Sequence, residues 1–157
     1  MQGRLSMRLF LLTLISGLLV SLSVMASNDG LINTKSHHNV KETTDRFEEI
    51  LKAKGMTVFA RINHSEGAKN IGQTLRPTEL VIFGNPKVGT PLMKCNQTMA
   101  IDLPQKALIW EDESGVVWLS YNDPDSLAVR HSIKGCNEVI KKIKRALSNF
   151  SKAATKL

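Results

Sequence analysis

Aromatic side chains are scarce in this 157-residue chain: five phenylalanines, two tryptophans and one tyrosine make up 5% of it. None of them alternates with the lysines of the C-terminal segment, so the chain lacks the stacking platforms that hold single-stranded nucleic acid. Cysteine is almost as rare. Cys95 and Cys136 cannot supply the paired Cys or His ligands of a zinc site, and no C-x-x-C-H stretch is present for covalent haem. A glycine-rich phosphate loop is missing too: "FGNPKVG" (83–89) lacks the following lysine-serine pair and reads as a turn. Neither Ser120 nor Ser132 sits in a recognisable nucleophile elbow. There are no internal repeats and no low-complexity linker.

The longest apolar run, Leu9 to Leu22, falls short of the ~20 residues a membrane-spanning helix needs. Arg4 and Arg8 precede it, and "VMA" (24–26) places tolerated residues before Ser27, so residues 1–26 are expected to be a cleaved signal peptide. An uncleaved anchor is the rival reading; no cysteine follows the run to take a lipid. Export implies a periplasmic or secreted protein with no membrane contact after cleavage. The domain is then 27–157, with its core over about 30–150. Loss of Arg4 and Arg8 leaves 19 basic against 14 acidic residues, a net charge of +5. Much of the excess lies in the last helix as Lys141, Lys142, Lys144, Arg145 and Lys152, a run read as a solvated face with anionic-surface or nucleic-acid binding as the lesser alternative. Nucleic acid is not expected as a partner.

"GLINTKS" (30–36) is a short, partly alternating strand. A helix follows from about Asn39 to Lys54: Asn39 can cap it, with Glu42 as the capping-box partner. Val40, Thr44, Phe47 and Leu51 share one face, and Gly55 stands where a left-handed residue ends the helix. "MTVFARIN" (56–63) alternates as a half-buried strand, "HSEGAKNIGQTL" (64–75) holds one or two helical turns, and "TELVIFGNP" (78–86) is a strand closed by turn residues. Thr90 and Pro91 are expected to start a short helix. "KALIWEDESGVVWLSY" (106–121) is a hairpin turning on Asp112 and Gly115. Leu108 and Trp110 are expected to share a face with Val117 and Leu119, with Ile109 and Trp118 on the other. Both faces of the hairpin are apolar, which calls for a covered sheet or a partner chain. Cys136, Val139, Ile140, Ile143, Leu147 and Phe150 then form the apolar stripe of the last helix. A run of strands between two main helices is an α+β pattern. The expected fold is a curved, mainly antiparallel sheet with both long helices on one face. Two cysteines in an oxidising compartment favour a disulfide, with two separate buried thiols as the alternative.

"RPTELVIFGNPKVGTPLM" (76–93), "DLPQKALIWED" (102–112) and "VWLSYNDPDSLAVRH" (117–131) together resemble the domain-of-unknown-function 302 family, DUF302. The resemblance runs from Gly30 to about Phe150. It implies a β-α-β4-α fold likened to one repeat of the TATA-binding protein, a homodimer, no DNA binding and no established activity. The paired "MKC" and "IKGC" cysteines resemble an exported branch of the family and imply that Cys95 and Cys136 are bridged.

His64, Glu79, Asn85, Glu111, Asn122, Asp123, Arg130 and His131 sit at strand ends and turns, where side chains from separate strands can converge on a small-molecule ligand. The structural reading of the same residues is a corner. Asn122 and Asp123 form the turn, Ser126 to His131 a short helix, and Arg130 pairs with Glu111 or Asp123. The leading expectation is a dimeric ligand- or partner-binding module without cofactor or resident metal. One alternative is an enzyme using His131 as acid or base with Glu111 or Asp123 to orient it. The other is a soft-metal carrier for monovalent copper, with Met93, Cys95 and Met99 as ligands and His37 and His38 as a looser chelator.

Overall fold

The computed structural model describes residues 30–157; the signal peptide expected over 1–26 lies outside them. Strand β1 (Leu31–Lys35) leads into helix α1 (Val40–Ala53), followed by β2 (Thr57–Asn63), the short α2 (His64–Asn70) and β3 (Thr78–Gly84). Helix α3 (Pro86–Cys95) runs into a 3-10 turn (Gln97–Ile101) and then the hairpin of β4 (Gln105–Glu111) and β5 (Val117–Asn122). Helices α4 (Pro124–Arg130) and α5 (Asn137–Thr155) complete the chain. The five strands form one sheet in the order β1-β5-β4-β3-β2, and every neighbouring pair is antiparallel. The α+β expectation holds.

Strand alternation makes the core. Val81 and Phe83 of β3, Ala107 and Ile109 of β4, and Leu119 of β5 point to one face and are fully buried. Phe47 and Leu51 of α1 and Ile143 and Leu147 of α5 pack onto them in the same cluster. Phe47 meets Phe83 edge to face, with centroids 5.3 Å apart and planes at 85°, the arrangement in which a positive ring edge meets a negative face. Helix α1 starts where its cap is: the Asn39 side chain accepts from the Glu42 backbone N–H at 2.9 Å. The Glu42 carboxylate turns to His38 Nδ1 at 2.8 Å.

Two expectations are corrected. In the hairpin, Ile109 faces Leu119 and Glu111 faces Val117, whereas Leu108 faces Ser120 and Trp110 faces Trp118. Ile109, Val117 and Leu119 therefore share the core face, and both tryptophans lie on the other. The five-residue connection is the reason. Asp112 Oδ1 accepts from both Ser114 and Val116 N–H at 2.9 Å, which adds Val116 to the turn. One residue more or less in a turn moves every side chain to the opposite face. The Asp112 carboxyl is held below its usual range by the Trp118 indole N–H first, then by the Val116 and Ser114 amides. The second correction is the start of α3. Asn85 caps Lys87 N–H at 2.9 Å and Pro86 takes the first helical position, so the helix begins a turn before Thr90 and carries Pro91 inside it.

The face away from α1 and α5 carries Ala60, Ile62, Leu80, Ile82, Leu108, Trp110 and Trp118. It stays partly open to solvent; Ile62 is 39% exposed.

Candidate functional site

The eight strand-end and turn residues do not meet in one place. Strands β2 and β4 end, and β3 begins, at one end of the sheet. His64 opens α2 there, exposed; Glu79 and Glu111 lie at the same end. Glu79 is 6% exposed and is bound by Arg61 through Nη2 at 2.5 Å and Nε at 2.6 Å. Arg61 also holds Asp45 of α1 at 2.6 Å, so this trio clamps helix to sheet. Burial works against the Arg61 charge, but Asp45 and Glu79 outweigh it and raise its pKa; Asp45 is lowered by the hydrogen bond from Lys41 and then that from Arg61. Asn85, Asn122, Asp123, Arg130 and His131 lie toward the opposite end of the sheet. Asp123 caps α4 by accepting from Asp125 N–H at 3.1 Å, and that helix begins at Pro124 rather than Ser126.

Arg130 and His131 converge on a carboxylate, but it is Asp102 and not Glu111 or Asp123. His131 Nε2 lies 2.5 Å from Asp102 Oδ2 and its Nδ1 3.0 Å from Thr98 Oγ1, while Arg130 Nη1 reaches Asp102 Oδ1 at 3.3 Å. The Asn96 amide donates to the His131 carbonyl at 2.7 Å. His131 is 7% exposed and both ring nitrogens are engaged. The group ties the 3-10 turn to the end of α4. Cys95 and Cys136, joined in a disulfide with Cα atoms 6.5 Å apart, fasten the end of α3 to the start of α5 beside it. Cys95 is thereby removed as a thiolate ligand. Met99 is buried, and among the described residues no group of three or more His, Cys, Asp or Glu is placed to hold a metal.

What these fastenings hold is a cleft of about 400 Å³. The ends of β3 and β4 form its floor through Phe83, Gly84 and Gln105. Val88 and Met93 of α3 make one wall, with Ala100 and Leu103 from the segment that Asp102 anchors; Ile143, Leu147 and Phe150 of α5 make the other. Phe59 is a rim residue; it sits where β2 slips register between Val58 and Ala60, and it is 54% exposed. Pockets of this size lined by apolar side chains with a few polar groups are where small ligands bind. Of the eight candidates only Asn85 lines it, and its side chain is spent on the α3 cap and on the Gly55 carbonyl at 2.9 Å.

Gln105 is different. It is 8% exposed, lines the cleft on the core face of β4, and its side-chain amide forms no hydrogen bond among the described residues. No buried side-chain nitrogen or oxygen among the described residues lacks a partner, so the Gln105 amide is open to the cleft and free to bond what enters it. Gln105→Leu is therefore expected to weaken ligand binding while leaving the stability of the unliganded protein nearly unchanged. Urea unfolding checks the second half; a midpoint that falls would mean that the amide supports the fold.

A family model described as "Domain of unknown function DUF302" matches residues 32–150. The chain belongs to the DUF302 family. A crystal structure of an uncharacterised conserved DUF302 protein from Bacillus stearothermophilus has the same fold, with a TM-score of 0.73 over 80% of this chain and 98% of that one, at 19% identity. Proteins named fluoride-specific ion channel FluC 1, from Brucella suis biovar 1 (strain 1330), and FluC 2, from Brucella melitensis biotype 1, are each 52% identical over 106 residues. That stretch is 68% of this chain but 42% and 39% of those proteins, so this chain spans about two fifths of the curated relatives it matches.

Proposed function

We propose that this DUF302 chain is an exported, dimeric ligand-binding module, with a small molecule held in the cleft between α3 and α5. The observation that carries the reading is an apolar cleft of about 400 Å³ with the unpartnered Gln105 amide in its lining. Its walls are fastened by a disulfide and by the Asp102 group, a use of fixed groups that suits a preorganised site. The buried, doubly engaged imidazole of His131 suits a fastening better than proton transfer. Export is supported by the leader pattern and by the disulfide, which belongs to oxidising compartments. The relatives' longer chains support a portable module. Channel activity is named for the longer relatives, of which this chain spans about two fifths, and is not carried over to it. For the dimer, the open sheet face offers a contiguous apolar surface around Ile82, Trp110 and Trp118.

Native mass spectrometry on protein recovered from the periplasmic fraction without reductant tests all three parts. The expected species is a dimer of chains beginning at Ser27, each about 2 Da lighter than its reduced mass, with an added ligand mass. Ile82→Lys, on the open face, is expected to leave monomers that keep the ligand. A chain beginning at Met1 would sink export, monomers in the unsubstituted protein would sink the dimer, and a ligand mass that survives Ala146→Trp in the cleft wall would sink the site.

A further inference from the structure

The cleft does not end at its apolar walls. Along α5 it opens onto a groove that shares Lys142, Ala146 and Phe150 with it and adds Lys54, Glu138 and Arg145. Residues 142, 145, 146, 149 and 150 recur at three- and four-residue spacing, so one helix face passes from apolar to cationic along the ligand's path. The lysines beside them are already paired: Lys141 holds Glu138 at 2.9 Å and Lys144 holds Asp125. Lys54, Lys142 and Arg145 form no salt bridge among the described residues, and the groove's one carboxylate, Glu138, is taken by Lys141.

Resting on the cleft reading, we infer that the ligand is an amphiphile with an apolar chain and an anionic head. The chain lies in the cleft, and the head sits on Lys142 and Arg145 with Lys54 opposite. Three unpaired cations around the mouth of an apolar cleft match a carboxylate or phosphate head in charge and position. The unpartnered Gln105 amide gives one hydrogen-bonding point within the apolar part. A concave cleft encloses a single chain, and this favours one bound amphiphile over a membrane surface, which would meet a flat or convex patch.

The test uses the full, delipidated chain with dodecanoate below its micelle concentration, dodecanol as the uncharged counterpart, and phosphatidylglycerol vesicles. Dodecanoate is expected to bind one per chain, more tightly than dodecanol and more weakly as salt is raised. K142A/R145A, both exposed, is expected to weaken dodecanoate about tenfold and leave dodecanol unchanged. Ala146→Trp, or Ala100→Trp on the exposed rim, is expected to abolish both. If both amphiphiles bind and K142A/R145A alters neither, the anionic-head assignment fails and the cleft reading stands. If neither binds, the amphiphile inference is overturned; the cleft reading falls with it only if the co-purifying mass also survives Ala146→Trp. Vesicle binding lost in K142A/R145A but kept in Ala146→Trp would overturn the inference in favour of a lipid surface.

Discussion

Replacing Cys95 and Cys136 together by alanine is expected to lower stability by about 4 kcal/mol, the chain-entropy value for a loop of roughly forty residues. The two positions are 41 residues apart, and the closed loop contains the 3-10 turn, both strands of the hairpin and α4. Without the bridge the unfolded chain regains the freedom to separate α3 from α5, while the folded chain loses only a local contact. Against the 5–15 kcal/mol typical of folded domains this is a large share. Urea unfolding of the unsubstituted protein with and without reductant, beside C95A/C136A, separates the cross-link from the side chains. Reduction and substitution should lower the midpoint by similar amounts. A loss below about 1 kcal/mol would mean that the unfolded chain already keeps these segments together. The bridge also spans the two walls of the cleft, so ligand binding is expected to weaken in the double variant under conditions where it remains folded.

The fold was largely legible because its signals are local. Asn39 and the Val40, Thr44, Phe47, Leu51 face located α1, and the Ile140, Ile143, Leu147 stripe located α5. The hairpin turn was legible as well, but its facing was not: Val116 joins the turn by donating its backbone N–H to the Asp112 carboxylate, and a single residue decides which tryptophan faces what. The start of α3 is misplaced to Thr90 and Pro91 in the sequence because two proline sites compete, and Asn85 with Pro86 supplies the better cap. The candidate site was much harder. Asp102 closes the 3-10 turn with its backbone, but its side chain lies 28 and 29 residues from the side chains it binds, so only tertiary structure brings it to Arg130 and His131. The cleft is hidden for a different reason. Ile143, Leu147, Phe150 and Met93 have the same periodicity whether the space beside them is filled or empty, because an apolar stripe reports burial and not what lies beyond it. Gln105 was the available signal: a polar residue in register with Ala107 and Ile109 on the inward face of β4.

Asp102→Ala is expected to destabilise the protein by about 2 kcal/mol, within the range for leaving a buried hydrogen-bonding partner unsatisfied. Asp102 and His131 are 9% and 7% exposed, so the imidazole would lose its acceptor in a place water scarcely reaches. Arg130 contributes less, because its side chain is 62% exposed and solvent screens its contact with Asp102. His131→Ala should cost a similar amount, and the double variant little more than either single one, since each removes the same 2.5 Å contact. Urea unfolding of the four proteins completes the cycle. A coupling near zero would mean that the contact is not the fastening described here, and that His131 is free for another role. The cycle also reaches the cleft. Asp102 fixes the segment that carries Ala100 and Leu103, so Asp102→Ala should loosen one wall and weaken ligand binding even where the fold survives. Binding that is unchanged in a folded but destabilised Asp102→Ala protein would show that the polar cluster serves the corner alone. Binding that falls with the loss of the contact would make the corner and the cleft a single device.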